Sequence, residues 1–277
     1  MNTPFEYPGC RVFESALFRT TTTLVTGDDH LLLVDPTWLP HEIEAITEHV
    51  ADLAPGRECF LAFTHSDYDH ILGFGRFPEF RTVASGAFVR NADPDEPLEQ
   101  IRTFDDEYYV TRPYPITYPR IDLPVEGNGV TLELGEETYL GYQAAGHNPD
   151  GLILLNRDRG ILIVGDYLSN VEFPYVYHSV AEYRRTLDRL EGIIREERVE
   201  LLIPGHGDPT TDPEEMHRRI RDSRSYLDEL EESVVTGRAF DLDRLFTRYR
   251  FPRIMRKFHA GNVKLMQQHV RSQPSSG

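Results

Sequence analysis

Cysteine is scarce in this sequence, which contains only Cys10 and Cys59. Two cysteines so far apart exclude a short Cys-x-x-Cys redox motif, a cysteine-rich zinc cluster and the disulfide framework of small secreted domains. Cys59 begins an apolar run at residues 59–63, where a small buried thiol is the expected role. Neither cysteine therefore points to redox chemistry or to an oxidising compartment.

Positive charge and long apolar runs are also scarce. Lys and Arg number 29 against 46 Asp and Glu, so the formal net charge is −17 and nucleic acid is not an expected partner. No apolar run approaches the roughly 20 residues of a membrane span, and the N-terminus lacks the pattern of a secretory signal. We therefore expect a soluble, cytoplasmic protein that acts on a small molecule without a membrane partner, and homo-oligomer formation stays open.

The 277 residues, 39% of them hydrophobic, are sufficient for one sizeable core. Strand-like patterns recur along the chain, at residues 11–18, 20–26, 31–34, 58–63, 81–84, 130–134, 138–144, 152–156, 161–164 and 201–203. Helical spacing is found at residues 40–53 and 180–195. Residues 91–128 are rich in proline, acids and tyrosine, and we interpret this insertion as an irregular lid or binding loop.

The sequence changes character after residue 210, where it becomes charged and helical. Helical patterns extend through about residue 235 and recur near residues 241–249 and 261–270. We therefore divide the chain into an α/β domain at residues 1–210 and a helical C-terminal appendage at residues 211–277.

The segment that follows the strand pattern at residues 58–63 contains two imidazoles and two carboxylates within six residues. Side chains two apart in an extended turn project to the same side, so His65 and Asp67 can share one ion. Asp69 and His70 are offset from that pair and can face a second ion. Taken alone, the segment also fits a solvated loop or a helix N-terminus capped by an aspartate.

Three later residues repeat this arrangement, because each follows an apolar strand pattern and a glycine. They are His147, Asp166 and His206. The neighbouring glycine lets the backbone turn tightly at each position. Four separate strand ends with metal-binding side chains are hard to explain by chance, so the sequence predicts a metal site.

These motifs, in this order, resemble the metallo-β-lactamase superfamily, whose hallmarks are a Thr-His-x-His-x-Asp-His loop, a Gly-His-Thr-Pro-Gly loop, a Gly-Asp and a Gly-His. The resemblance covers about residues 13–207, with residues 146–151 as an extended second loop. It implies an α/β fold, a four-layer αβ/βα sandwich with the site at one edge between two sheets. It also implies one metal held by His65, Asp67 and His147, a second held by Asp69, His70 and His206, and Asp166 as the bridge.

Asp67 departs from the family pattern, which has a histidine at this position. A carboxylate is a shorter and harder ligand than imidazole, so manganese or iron becomes a candidate beside zinc, which is still the expected metal. An acidic residue here also occurs in the di-iron branch of the superfamily, which reduces dioxygen or nitric oxide. That branch carries an extra flavin domain, which we do not expect in a chain of this length.

We predict a metal-dependent hydrolase that acts on a small ester, thioester, lactone or phosphoester. Two divalent metal ions would lower the pKa of a shared water and polarise the substrate oxygen, with Asp69 orienting the nucleophile. Two alternatives stay open, an iron-dependent redox enzyme on the same fold and a non-catalytic metal-binding sensor.

Substrate contacts are less strongly indicated. The helical C-terminal part resembles that of hydroxyacylglutathione hydrolase, in the glyoxalase II-like branch, where such helices cover the site. That resemblance makes His259 and Asn262 candidate substrate contacts. Tyr167, beside the predicted bridge, is a third candidate, with a packed aromatic as the alternative. A basic group that could attract an anionic substrate consists of Arg253, Arg256 and Lys257.

Overall fold

Residues 4–272 are described by the structure, a computed structural model. The first of its two sheets contains seven strands that follow one another in chain order: β1 (Phe5–Tyr7), β2 (Cys10–Glu14), β3 (Thr21–Thr26), β4 (His30–Val34), β5 (Glu58–Ala62), β6 (Arg81–Ser85) and β7 (Leu123–Val125). Pairing is antiparallel from β1 to β4 and parallel from β4 to β7. Every residue of β4 is buried, as expected for a strand with both faces covered.

The second sheet contains five strands in the order β12-β11-β10-β9-β8. They are β8 (Asn128–Leu134), β9 (Glu137–Gln143), β10 (Leu152–Asn156), β11 (Ile161–Ile163) and β12 (Leu201–Ile203). Pairing is antiparallel except between β11 and β12. A parallel pair needs a crossover, and the helix Val180–Glu196 lies in the connection between these two strands.

The helices are α1 (Pro40–Leu53), α2 (Tyr68–Ile71), α3 (Gly86–Val89), α4 (Asp95–Tyr108), α5 (Val180–Glu196), α6 (Pro213–Thr236), α7 (Leu242–Phe246) and α8 (Pro252–Ser272), with a short 3₁₀ helix at Phe74–Arg76. None of the helices in residues 4–272 is both long and apolar enough to cross a membrane.

Successive side chains of the buried strands pack into different hydrophobic cores, and this produces the four layers. In β4, Leu31 and Leu33 pack in the same cluster as Ile43 of α1, whereas Leu32 joins a separate cluster shared by the two sheets. In β10, Leu154 faces the other sheet while Ile153 packs with α5, α6 and α8. Because successive side chains point to opposite faces, each buried strand serves two cores. The predicted four-layer αβ/βα sandwich with a helical C-terminal region is confirmed.

The interpretation of residues 91–128 as irregular is wrong in part, because this segment contains α4 and β7. The buried residues of α4 are Pro97, Leu98 and Ile101, which lie on one side of the helix, and most of its other residues are exposed. A proline in the first turn does not break a helix, since its missing N–H would have no intrahelical acceptor there. Pro124 lies in the edge strand β7, where proline is tolerated.

Candidate metal centre

The seven predicted ligands come together at one edge of the sandwich, where loops from both sheets meet. His65 and Asp67 lie between β5 and α2, and α2 itself carries Asp69 and His70. His147 lies in the loop between β9 and β10. Asp166 follows β11 and His206 follows β12, so the convergence depends on where the strands end.

The ligand atoms form two sets, each compact enough to surround one cation. His65, Asp67, His147 and Asp166 form the first set, and Asp69, His70 and His206 form the second, with the ligand atoms of each set within 4.8 Å of one another. In the first set, Asp67 Oδ2 lies 3.1 Å from His147 Nε2 and 3.5 Å from His65 Nε2. In the second, Asp69 Oδ2 lies 3.6 Å from His206 Nε2 and 3.9 Å from His70 Nε2.

Asp166 reaches both sets. Its Oδ2 lies 3.3 Å from His147 Nε2 and 3.2 Å from His206 Nε2, and its Oδ1 lies 3.3 Å from His70 Nε2. One carboxylate therefore contacts histidines of both sets, which is the placement required of a bridging ligand.

Several of these buried atoms have no hydrogen-bond partner. Among the described residues, they include His65 Nε2, His70 Nε2 and Asp166 Oδ1. A buried polar atom without a partner is costly, and native proteins rarely contain one without a bound ion or water. Nitrogen and oxygen donors that converge in this way fit a pair of divalent cations such as zinc, manganese or iron.

The outer nitrogens of three histidines contact groups that can only accept a hydrogen bond. These contacts are His70 Nδ1 to Asp35 Oδ2 at 3.0 Å, His147 Nδ1 to the Tyr175 carbonyl oxygen at 2.7 Å, and His206 Nδ1 to the Phe18 carbonyl oxygen at 2.9 Å. Each Nδ1 therefore donates its hydrogen outward, and each Nε2 is left to bind a cation.

Sequence reasoning missed two residues that hold the ligands. Asp35 follows β4 and accepts hydrogen bonds from the backbone N–H and the hydroxyl of Thr64, at 2.9 and 2.5 Å. Asn148 donates to Asp67 Oδ1 at 2.6 Å. Asp35 follows an apolar strand pattern, the same signal that identified the ligands, and Asn148 is the neighbour of His147.

Neighbouring carboxylates raise the pKa values of three histidines of the metal-free site. Burial lowers the pKa of His206, but the carboxylates of Asp166 and Glu172 outweigh it and raise this pKa to about 10. Burial also acts to lower the pKa values of His70 and His147, but the neighbouring carboxylates outweigh it and raise both. Without metal, the neighbouring carboxylates therefore keep protons on His70, His147 and His206 to higher pH than a free imidazole would.

The raised pKa values of these histidines predict how the stability of the metal-free protein depends on pH. A histidine whose folded-state pKa is raised stabilises the fold fully below its unfolded pKa of about 6.5, and that stabilisation is lost as pH rises through the folded value. Cations must also displace these protons, so their affinity should increase over the same range. We expect the increase in melting temperature on adding zinc to be larger at pH 9 than at pH 6.5. An increase that is the same at both values would contradict this expectation.

A cavity of about 490 Å³ opens beside the ligands. Much of its wall is aromatic, formed by Phe18, Tyr68, Phe173, Tyr175, Tyr177, Tyr183 and Phe258. Glu172 also lines it, and burial raises the pKa of this carboxyl to about 7. Lys257 is the member of the predicted basic group that contributes to the described wall.

The three predicted substrate contacts lie behind this wall. The Tyr167 hydroxyl lies 3.0 Å from the carbonyl oxygens of residues 144 and 145, which share its one hydrogen, and it accepts from the His147 N–H at 3.0 Å. His259 and Asn262 are 6% and 1% exposed and form hydrogen bonds within the protein. Their placement favours a positioning role over direct substrate contact, because each of these polar side chains already forms a hydrogen bond with a neighbouring protein group.

The Metallo-beta-lactamase superfamily model matches residues 16–206, and the chain belongs to this superfamily. A metallo-beta-lactamase family protein from Thermus thermophilus is 19% identical, with a TM-score of 0.67 over 96% of this chain and 94% of that one. The inverting sec-alkylsulfatase Pisa1 from Pseudomonas sp. is 14% identical, with a TM-score of 0.68 over 99% of this chain and 51% of its own. These likenesses establish the fold.

The rubredoxin oxygen:oxidoreductase from Desulfovibrio gigas is a further structural relative. It is 14% identical, with a TM-score of 0.54 over 82% of this chain and 62% of its own. No curated protein matches the chain. The fold is therefore shared by proteins that are named for hydrolytic and for redox activities.

Proposed function

We propose that the protein is a hydrolase that uses a water activated by two divalent cations. Zinc is the first candidate for the metal, and Asp67 keeps manganese and iron as alternatives. The carrying observation is the pair of ligand sets joined by Asp166, within which buried nitrogen and oxygen atoms have no protein partner. His65, Asp67 and His147 would hold one cation, and Asp69, His70 and His206 the other.

The cations, when bound, would supply a water of lowered pKa and polarise the carbonyl or phosphoryl oxygen of the substrate. Asp69 lines the cavity, and its carboxylate can accept a hydrogen bond that orients the attacking water. Glu172 is the carboxyl outside the two ligand sets among the described residues of the wall. Its raised pKa lets it hold a proton inside the cavity, where it could be transferred to a leaving group of the substrate.

The cavity wall favours a substrate with an apolar or aromatic group. Its volume of about 490 Å³ suits a small ester, thioester, lactone or phosphoester. The aromatic rings of the wall would bind an apolar or aromatic group of the substrate by excluding water from the contact. Lys257 offers a positive charge to an anionic substituent. Ile254 and Phe258 of α8 also form part of the wall, which supports a glyoxalase II-like arrangement in which C-terminal helices cover the site.

Elemental analysis combined with a substrate screen tests this function. The purified full chain should bind two equivalents of metal and hydrolyse at least one member of a panel of thioesters, esters, lactones and phosphodiesters. A chelator should abolish that activity, and adding metal back should restore it. The variant Glu99→Ala changes an exposed side chain outside the ligand sets, so it should behave as wild type and controls for handling of the protein. Hydrolysis that persists after complete removal of metal would exclude the proposal.

A redox activity is the second candidate, because Asp67 places a hard carboxylate in the first ligand set. The structural likeness to an oxygen-reducing enzyme supports the same reading. If it is correct, the iron-loaded protein should consume dioxygen when an electron donor is supplied, and the zinc-loaded protein should not. Full hydrolytic activity in a preparation free of iron would exclude iron-dependent redox chemistry as the main function.

A further inference from the structure

The backbone of residues 174–178 forms hydrogen bonds with the candidate ligand His147. The Tyr175 carbonyl oxygen accepts the hydrogen bond from His147 Nδ1 at 2.7 Å. The backbone N–H groups of Tyr177 and His178 donate to the His147 carbonyl oxygen at 2.9 and 3.0 Å. The position of this segment therefore sets both the orientation of the imidazole ring and the nitrogen that carries its proton.

Asn262 of α8 holds this segment on both sides of Tyr175. Its Nδ2 donates to the Pro174 carbonyl oxygen at 2.6 Å, and its Oδ1 accepts from the Val176 N–H at 2.8 Å. An amide side chain presents a donor and an acceptor side by side, so it can pair with a peptide segment as a strand would. The Asn262 side chain is buried, and its Nδ2 also donates to the Tyr226 hydroxyl at 2.8 Å.

The aromatic rings reinforce the same connection. The Tyr175 ring stacks on Phe258 of α8, with ring centroids 4.0 Å apart and planes inclined by 19°. The Tyr226 hydroxyl, which lies on α6, also contacts His259 Nδ1 at 3.1 Å. Two C-terminal helices thus fix the backbone that orients a metal ligand.

We propose that Asn262 is a positioning residue of the metal centre, which fixes His147 through the backbone of residues 174–176 and so sets the affinity of the first ligand set. This inference rests on the proposed two-cation site. The second set does not depend on this connection, because its histidines are oriented by Asp35 and by the Phe18 carbonyl oxygen. A change at Asn262 should therefore weaken the binding of one cation and leave the binding of the other unaffected.

The test is a cobalt(II) titration of the metal-free full chain, in competition with a chromophoric chelator. Asn262→Ala should lower the affinity of one of the two sites by about tenfold, the lower end of what loss of a supporting hydrogen bond costs a metal site. It should also change the visible absorption bands of that site only. Asn262→Gln keeps both the amide donor and the amide acceptor on a longer side chain, so it should give a smaller change and supports the test if the alanine variant does not fold.

Met266→Ala is the matched control, because Met266 is fully buried one turn further along α8 and lies outside the described cavity wall. It should lower the melting temperature without changing either cobalt affinity. Hydrogen exchange at the Val176 amide should become faster in Asn262→Ala and stay unchanged in Met266→Ala. Equal weakening of both sites in either variant, or no change in either site in Asn262→Ala, would overturn the inference. A wild-type chain that binds no metal would overturn the proposed function and this inference with it.

Discussion

Replacing Asp166 with alanine is expected to prevent the stable binding of both cations and to lower kcat/KM by at least about a thousandfold, which corresponds to roughly 4 kcal/mol of transition-state stabilisation. The reason is the position of its carboxylate, whose two oxygens lie within 3.3 Å of histidines from both ligand sets. Among the described residues of the two sets, only Asp166 has a carboxylate this close to histidines of both, so its loss would remove a ligand from both proposed cations at once. Elemental analysis and steady-state kinetics on the substrate identified by the screen measure the two effects.

Two control variants make the Asp166 result specific. Asp166→Asn preserves the shape of the side chain but removes its charge, so it should retain at most part of the metal and little of the activity. Asp28→Ala removes an exposed aspartate away from the site and should change neither quantity. An Asp166→Ala protein that retains both cations and its activity would show that the carboxylate is not a bridge.

Asp35→Ala is expected to have the second largest effect, on both stability and metal binding. Asp35 is only 3% exposed, and its carboxylate accepts from the Thr64 backbone, the Thr64 hydroxyl and His70 Nδ1. Removing one partner of such a buried charged network costs about 3–5 kcal/mol in the free energy of unfolding. The cation of the second ligand set should bind about 10–100-fold more weakly, because His70 loses the acceptor that orients it.

Urea unfolding of the metal-free variants, followed by metal titration, separates these two effects of Asp35. Asp35→Asn keeps an oxygen that can accept from the Thr64 N–H, so it should lose less stability than the alanine variant. Its amide nitrogen cannot accept from His70, and the loss of metal affinity should therefore be similar to that in alanine. A metal-free Asp35→Ala protein as stable as wild type would contradict the account of this residue.

Much of the fold could be predicted because buried strands and amphipathic helices leave strong local patterns. The helix α1 occupies Pro40–Leu53 and the strand β10 occupies Leu152–Asn156, with the bounds expected from the sequence. The helix α4 was missed because its apolar residues are few, so an acidic, proline-containing segment has the composition of a loop. The helix α8 begins at Pro252, earlier than expected, because packing against α6 stabilises residues whose local signal is weak.

The candidate metal ligands could be predicted because they lie at or shortly after strand ends that meet at the same edge of the sandwich. Asp35 follows a strand pattern as well, but the role of the residues that hold those side chains could not be predicted, since it depends on a distant neighbour. Asp35 lies 35 positions from His70 in sequence, and Asn262 contacts a segment 86 positions away. The aromatic wall is likewise assembled from separate parts of the chain, among them α2, α8 and the segment before α5. The composition of this cavity wall therefore follows from the tertiary arrangement rather than from any local motif.

The most direct measurement of the two-cation site is anomalous X-ray scattering from crystals of the zinc-loaded protein. We expect two peaks roughly 3.5–4 Å apart, the usual separation in two-metal hydrolytic sites. One peak should contact His65, Asp67 and His147, the other Asp69, His70 and His206, and Asp166 should contact both. A single peak, or ions bound away from these side chains, would contradict the account.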